Sequence, residues 1–395
     1  MTICKGSWKG NLEMFLREIL AIQLLATIIP TVEAADARGD DKFAIAGLKL
    51  VGAQFEFDEV GQVTTVSFRG SQASDDALFL TQGLPRLRCV CLHGAGFSNK
   101  GLVQLEKRTG LTTLKLFGTK VNDEGLARLI GLKDLRFIML WHDSPQDGKI
   151  SSEGLRHLAR LEGLEVLDLG RMPVTDEGLA ALSVAPRLKH LNLYQGAMAE
   201  HVEQLAKFRH LTKVNLRTYD ETHEVTDDDL RYLDQLKELT ELDLTNARIT
   251  DRGLEQLVKH RRLKTLNLTS TRITDAGLKH IARLPHLEEL ALADTEIGDA
   301  GLASLSAMRN LQCLHLSLMG ITDEGLTHVS RLAQLHALTL AGTPVGDDGI
   351  RKLTRLSKIR TVYAVNTRIT ERGAEDLKEA LPNCEVKFGV RKRLR

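Results

Sequence analysis

Aromatic side chains are rare in this sequence. Phe, Trp and Tyr together supply 4% of 395 residues, and only two are Trp. Scarcity of this kind makes any local gathering of rings conspicuous. Excess charge is missing as well, because 53 basic and 52 acidic residues leave a formal net charge of +1. A dedicated nucleic-acid binder needs a basic face to neutralise phosphates, so that class of partner is disfavoured. The cysteines (Cys4, Cys89, Cys91, Cys313 and Cys384) lack the dense spacing of a disulfide-stapled secreted domain, although export itself stays open. The apolar run from Ile19 to Ile29 is too short to span a bilayer, so no transmembrane segment is expected. No nucleophile stands beside an orienting base, and no glycine-rich phosphate cradle joins a strand to a helix. The expectation is therefore a protein that is not an enzyme and needs no cofactor.

The beginning of the chain differs from the rest. Lys5, Lys9 and Arg17 precede ILAIQLLATII, and Val32-Glu33-Ala34 sets small residues ahead of Ala35, where a signal peptidase cuts. Glu13, Glu18 and Gln23 run against that pattern. The expectation is a cleaved leader over residues 1–34 and an exported chain, periplasmic or extracellular; a disordered or amphipathic leader on a cytoplasmic protein is the alternative.

What the sequence does have is one unit, restated. Taking the first aliphatic residue of each unit as its marker gives Val63, Leu87, Leu111, Leu135, Leu164, Leu188, Leu211, Leu239, Leu263, Leu287, Leu311, Leu335 and Ile359, with a half unit at Cys384. Most intervals are 24 residues; the long ones are 29 after Leu135 and 28 after Leu211. Each unit changes period midway. Leu266 and Leu268 alternate as a strand requires, whereas Ile273, Leu278, Ile281 and Leu284 lie on one stripe of a helix. Thr274 and Asp275 precede that helix as caps, and Gly277 recurs as Gly125, Gly154, Gly178, Gly253, Gly301 and Gly325. Glycine is costly within a helix, so the recurrence implies close approach of neighbouring turns. A strand and a helix of this size cannot bury their apolar sides alone. Stacked, they give an α/β solenoid: a parallel sheet on the inner face, helices on the outer face, leucines between, and a horseshoe curve because helices are wider than strands.

The pattern LxxLxL followed by ITDxGLxxL, at Leu263 to Ile281 and Leu311 to Val329, resembles the leucine-rich repeat family. The nearest variant is the one with outer helices found in ribonuclease-inhibitor-like proteins and the receptor subunits of ubiquitin ligases. The resemblance covers Val63 to Phe388 and implies a right-handed solenoid that binds other proteins. Where many such repeats carry Asn or Cys after the strand, this chain has Thr119, Thr271, Thr295, Thr343 and Thr367. With the leader, that departure resembles bacterial exported members. No F-box-like or catalytic segment precedes the repeats, so the ligase-receptor role is not carried over. The expected organisation is a leader (1–34), an N-terminal cap of a short helix and a hairpin strand (35–62), thirteen repeats and a terminal half repeat (63–388), and a solvated basic tail (389–395).

Positions three, five and seven of each unit point into the concavity. Late units place small or mildly polar groups there, such as Thr265, Asn267 and Thr269. The early middle differs, with Lys115 and Phe117 in unit three, Phe137, Met139 and Trp141 in unit four, and Tyr194 in unit six. Both long units carry their extra residues after the strand, Asp143 to Lys149 and Asp220 to Glu224, and so overhang the same zone. The candidate partner-binding set is Lys115, Phe117, Phe137, Met139, Trp141, Tyr194, Lys213 and Arg217. Rings paired across strands also stabilise a sheet without binding anything. Cys89, Cys91 and His93 share one face, as do Cys313 and His315. Same-face positions on a strand sit about 6.6 Å apart, so neither group is expected to bind zinc and no Cys89–Cys91 bridge is expected. His142 and His223 belong to solvated rim loops. The expected role is a monomeric binding scaffold for an unidentified protein or peptide. The alternative partner is an extracellular glycan or the cell envelope, which Asp168, Asn192 and Asn215 near the rings would suit.

Overall fold

The computed structural model describes residues 39–142, 148–170, 172, 174–193, 202–218 and 225–389. Within them, each unit opens with a strand: β1 Gln54–Phe57, β2 Val63–Ser67, β3 Cys89–His93, β4 Thr113–Phe117, β5 Phe137–Trp141, β6 Val166–Asp168, β7 His190–Asn192 and β8 Lys213–Asn215. The series continues with β9 Glu241–Asp243, β10 Thr265–Asn267, β11 Glu289–Ala291, β12 Cys313–His315, β13 Ala337–Thr339, β14 Thr361–Val365 and β15 Glu385–Gly389. They form one sheet in chain order. Pairing is parallel from β2 onwards, and only β1 returns antiparallel onto β2. Among the parallel strands the register is unslipped, with Thr265 facing Glu241 and Glu289, and Leu266 facing Leu242 and Leu290. Equivalent positions therefore stack into straight rows across the sheet.

Alternation decides which rows are core. Leu266 and Leu268 are fully buried, as are Leu263, Ile273 and Leu278, while Thr265 and Asn267 are half-buried on the open side of the sheet. The leucine rows join into one continuous hydrophobic cluster from Leu48 to Cys384. Replacing Leu266 with Ala should cost about 2–5 kcal/mol, as large-to-small changes in packed cores do, and Thr269 to Ala far less. Urea unfolding of the two variants checks the assigned phase, and equal effects would contradict it.

The convex side carries the helices expected of the second halves, but as short pieces of two kinds. Ser152–Ala159 and Asp251–Leu257 are α-helical, whereas Val202–Lys207 and Asp227–Gln235 are 3₁₀. The tighter helix advances further per residue and suits connections of one or two turns. Ahead of the repeats, Asp41 caps a helix over Lys42–Leu50 by accepting from the Phe43 N–H at 2.8 Å.

The capping residues divide their work differently from the sequence expectation. Thr250 and Thr322 do cap their own helices, each accepting from the N–H two residues on, and Thr274 accepts likewise from Ala276 in the turn that precedes its helix. The aspartate that follows each of them serves the next unit instead. Asp251 accepts from the Thr274 N–H at 2.9 Å and from its hydroxyl at 2.6 Å. Asp227 does the same for Thr250, Asp299 for Thr322 and Asp347 for Thr370. These bonds hold the Asp347 carboxyl below its ordinary range. The carboxylate occupies the space a side chain would need on the next unit's recurring glycine: a Cβ on Gly277 would lie 2.3 Å from Asp251 Oδ1, and one on Gly325 2.3 Å from Asp299 Oδ1. Gly154, Gly253, Gly277, Gly301 and Gly325 are thus fixed by a carboxylate ladder, while Gly125 meets the Asn99 amide and Gly178 the Leu155 side chain.

Candidate functional site

The straight register places the sequence candidates on a grid. The upper row, at the strand ends, is His93, Phe117 and Trp141. Below it run Cys91, Lys115, Met139 and Asp168, and below that Cys89, Thr113, Phe137 and Val166. His93 stacks on Phe117 with centroids 4.2 Å apart and planes 12° from parallel, and Phe117 meets Trp141 at 5.8 Å and 39°. Lys115 Nζ sits 5.7 Å from the centre of the Phe137 ring, within cation–π range. Phe117, Phe137, Met139 and Trp141 are all half-buried on the open side of the sheet. The indole is seated on the backbone of the next unit. A Cβ on Gly170, whose φ is +50°, would lie 3.0 Å from Trp141 Cγ and Cδ1.

Five of the eight candidates are thus contiguous. Lys213 and Arg217 stand apart on the β8 side, three strands from β5, or about 14 Å at ordinary strand spacing. Lys213 is paired with Glu241 across the β8–β9 boundary, and the Arg217 N–H donates to Asn215 Oδ1 at 3.0 Å. Tyr194 lies outside the described residues, as do the extra residues 143–147 and 219–224, His223, the leader and the basic tail.

The polar groups near the rings have structural duties of their own. Asp168 accepts from the Gly170 N–H at 2.9 Å, and Asp243 and Asn267 accept from Thr245 and Thr269 in the same way at 2.9 and 3.0 Å. Each closes the turn that ends its strand. Asp168 is also bonded by the Asn192 amide at 3.1 Å, and burial raises its carboxyl above the ordinary range against those two bonds. Further along, β7 to β11 floor a shallow hollow of ≈ 290 Å³ edged by His190, Lys213, Glu241, Asp243, Asn267 and Glu289.

His93 was not among the candidates, yet it completes the ring row. Its signal was available, because His93, Phe117 and Trp141 follow at the repeat interval of 24 residues. Among the described residues, no group of three or more His, Cys, Asp or Glu side chains is placed to hold a metal ion. His315 turns to Glu289 at 3.5 Å and to Thr339 at 3.3 Å.

Among the described residues, three imidazoles have lowered pKa values. Burial is the main cause for His93, aided by the Arg69 charge, and for His190, aided by Lys213. Burial also dominates for His260, partly offset by Asp234. A folded pKa below the unfolded value near 6.5 means that the unfolded chain binds more protons as pH falls. The stability these neutral rings permit is complete above about pH 6.5 and is lost as pH falls through their folded pKa values. Melting temperature should therefore fall between pH 7 and pH 5, with a shallower fall in His260→Asn. A rise in that window would contradict the assignment.

The comparisons with known proteins bear on the architecture. A family model described as leucine-rich repeat matches residues 237–258, 259–282, 283–306 and 307–329. The fold is a leucine-rich-repeat solenoid. Its fold is similar to an internalin from Listeria monocytogenes, with 20% identity over 90% of this chain and 96% of that one, and a TM-score of 0.52. It is also similar to the protein in a TLR13–ssRNA13 complex, at 16% identity and a TM-score of 0.54, over 81% of this chain and 52% of that one. A Leptospira interrogans leucine-rich-repeat protein aligns at 16% identity over 82% of this chain and 94% of that one, with a TM-score of 0.41. No curated protein matches in sequence. Similarity at these identities speaks to the fold alone.

Of the threonines after the strands, Thr271, Thr295, Thr343 and Thr367 satisfy the strand-exit carbonyl three residues back, whereas the buried Thr119 hydroxyl does not. Thr271 donates to Leu268 O at 2.7 Å, Thr295 to Leu292 O at 2.7 Å, and Thr343 to Leu340 O at 2.6 Å. Among the described residues, no helix is long and apolar enough to cross a membrane.

Proposed function

We propose that this leucine-rich-repeat solenoid is a binding scaffold that holds a protein or peptide against β3 to β5 on its concave face. The single observation that carries the reading is the ring row. In a chain with 4% aromatics, His93, Phe117 and Trp141 stack on adjacent strands, with Phe137 and Met139 beside them and Lys115 between. Sheet stability alone does not require Phe or Trp there, since β10 to β13 pair through Thr, Asn, Glu, Ala, Cys and His at equivalent positions. Rings held rigidly by neighbours lose little freedom on contact, which is what makes aromatics effective at the centre of interfaces. Lys213 and Arg217 act at the far edge of the footprint and contribute orientation more than affinity. A photo-crosslinking residue at Met139 should join the partner, and the same residue at Thr339 should not. Equal crosslinking from both positions would contradict the placement.

We also infer export, from the apolar run Ile19 to Ile29 and the small residues before Ala35. Mass determination of the native protein should then give an amino terminus near Ala35. An intact leader on protein recovered from cytoplasm would contradict it.

A further inference from the structure

Beside the ring row, β3 presents two thiols that the partner-binding reading does not use. Cys89 and Cys91 alternate with Val90 and Leu92, both fully buried, so both sulfurs lie on the concave side of the sheet. Their Cα positions are about 6.6 Å apart by strand geometry. The side chains lean together all the same, bringing Sγ to Sγ at 3.9 Å, and both cysteines are free. That separation is nearly twice the sulfur–sulfur bond of about 2.05 Å, and the Cα spacing is at the long limit for a disulfide. It does match two thiolates on one ion. With metal–sulfur bonds of about 2.3 Å, two sulfurs stand about 3.8 Å apart at a tetrahedral angle and about 4.6 Å apart when collinear.

The surroundings supply charge. Across the sheet Cys89 faces Thr65 and Thr113, and Cys91 faces Ser67 and Lys115, so small residues flank the pair and one cation lies beside it. The Cys91 thiol is lowered to about 7, chiefly by the bond from Cys89 and further by the Lys115 charge, against burial and Glu56. The Cys89 thiol is raised by that same bond and by burial.

We propose that Cys89 and Cys91 form a two-thiolate site for a soft monovalent cation of the copper(I) class. Soft thiolates select such ions, and copper(I) is stable with two sulfur ligands, whereas zinc needs two further donors that no neighbouring His, Asp or Glu provides among the described residues. Binding forms two copper–sulfur bonds and releases both thiol protons. The product is an anionic bis-thiolate beside the Lys115 ammonium, with no change of oxidation state.

The test uses the full chain with copper(I), kept reduced by ascorbate without oxygen, in competition with bathocuproine disulfonate. One copper(I) per chain is expected, with an X-ray absorption spectrum of sulfur ligands only. Cys89→Ser and Cys91→Ser should each lower the affinity by about 100-fold or more, while Cys4→Ser and Cys313→Ser leave it unchanged. Serine is close to cysteine in size, and unchanged melting of each variant separates loss of the site from loss of the fold. Undiminished binding in Cys89→Ser, a nitrogen ligand in the spectrum, or no binding by the parent chain would each overturn the proposal.

Discussion

Replacing Gly277 with Ala is expected to destabilise the protein by about 1–3 kcal/mol, the range of an overpacked site, although the local backbone favours the change. Gly277 sits at φ −64° and ψ −31°, ordinary right-handed helical values that any residue adopts. Intrinsic helix propensity alone would make Ala better by about 1 kcal/mol. The opposing effect is spatial. The new Cβ would stand 2.3 Å from Asp251 Oδ1 and 2.8 Å from Leu254 Cδ1. Leu254 can swing the end of its side chain, but Asp251 can move only by giving up its bonds to the Thr274 N–H and hydroxyl. Asp251→Ala by itself should cost about 1.5–3 kcal/mol, the usual range for hydrogen bonds to a charged group. Because both changes act on the same carboxylate, they should be strongly non-additive. In the Asp251→Ala background, Gly277→Ala should be close to neutral, a coupling of about 1 kcal/mol or more. Urea midpoints of the four proteins in the cycle check this. Simple additivity would show that the glycine answers to something other than the carboxylate.

That ladder also marks where the sequence became hard to read. The Thr-Asp pair stands directly before each helix, so assigning both residues to that helix is the natural local reading. Thr250 obeys it, but Asp251 reaches the Thr274 N–H at 2.9 Å, one whole unit away. Contacts between units are invisible to any window shorter than the repeat. The core was legible because period-two alternation and helical spacing are properties of one unit, and Leu266, Ile273 and Ile281 are buried where those periods place them. The rows of the concave face were legible for the same reason, once parallel pairing was in register. Lys213 was harder. Its partner Glu241 is 28 residues away at the same position of the next unit, but a shared position alone does not show that the two side chains pair. The approach of the two sulfurs was not legible for another reason: strand rise sets the Cα spacing, but side-chain rotation sets the distance between Sγ atoms. The same strand positions that kept Cys89 and Cys91 apart on paper bring their sulfurs to 3.9 Å.

The second large effect concerns the concave rings. Phe117 is the centre of the row, between His93 at 4.2 Å and Trp141 at 5.8 Å. Trp141 is partly committed to the fold through its seat on Gly170, so its removal mixes packing with binding. Phe117 lies on the open side of a strand whose core residues, Leu114 and Leu116, are fully buried and face the other way. Truncating it should leave the leucine rows intact. A ring at the centre of an interface commonly contributes about 2 kcal/mol or more, which is a loss of about 30-fold in affinity. Lys115→Ala removes a charge beside the rings and should slow association more than it speeds dissociation.

The most direct measurement is the affinity of the partner captured from Met139 for four purified proteins: the parent chain, Phe117→Ala, Phe137→Ala and Thr339→Ala. All four should melt within a few degrees of one another. Phe117→Ala and Phe137→Ala should each weaken binding by about 30-fold, and Thr339→Ala should match the parent. If the ring variants are folded and bind as tightly as the parent, the concave rings serve the sheet alone and the binding face lies elsewhere.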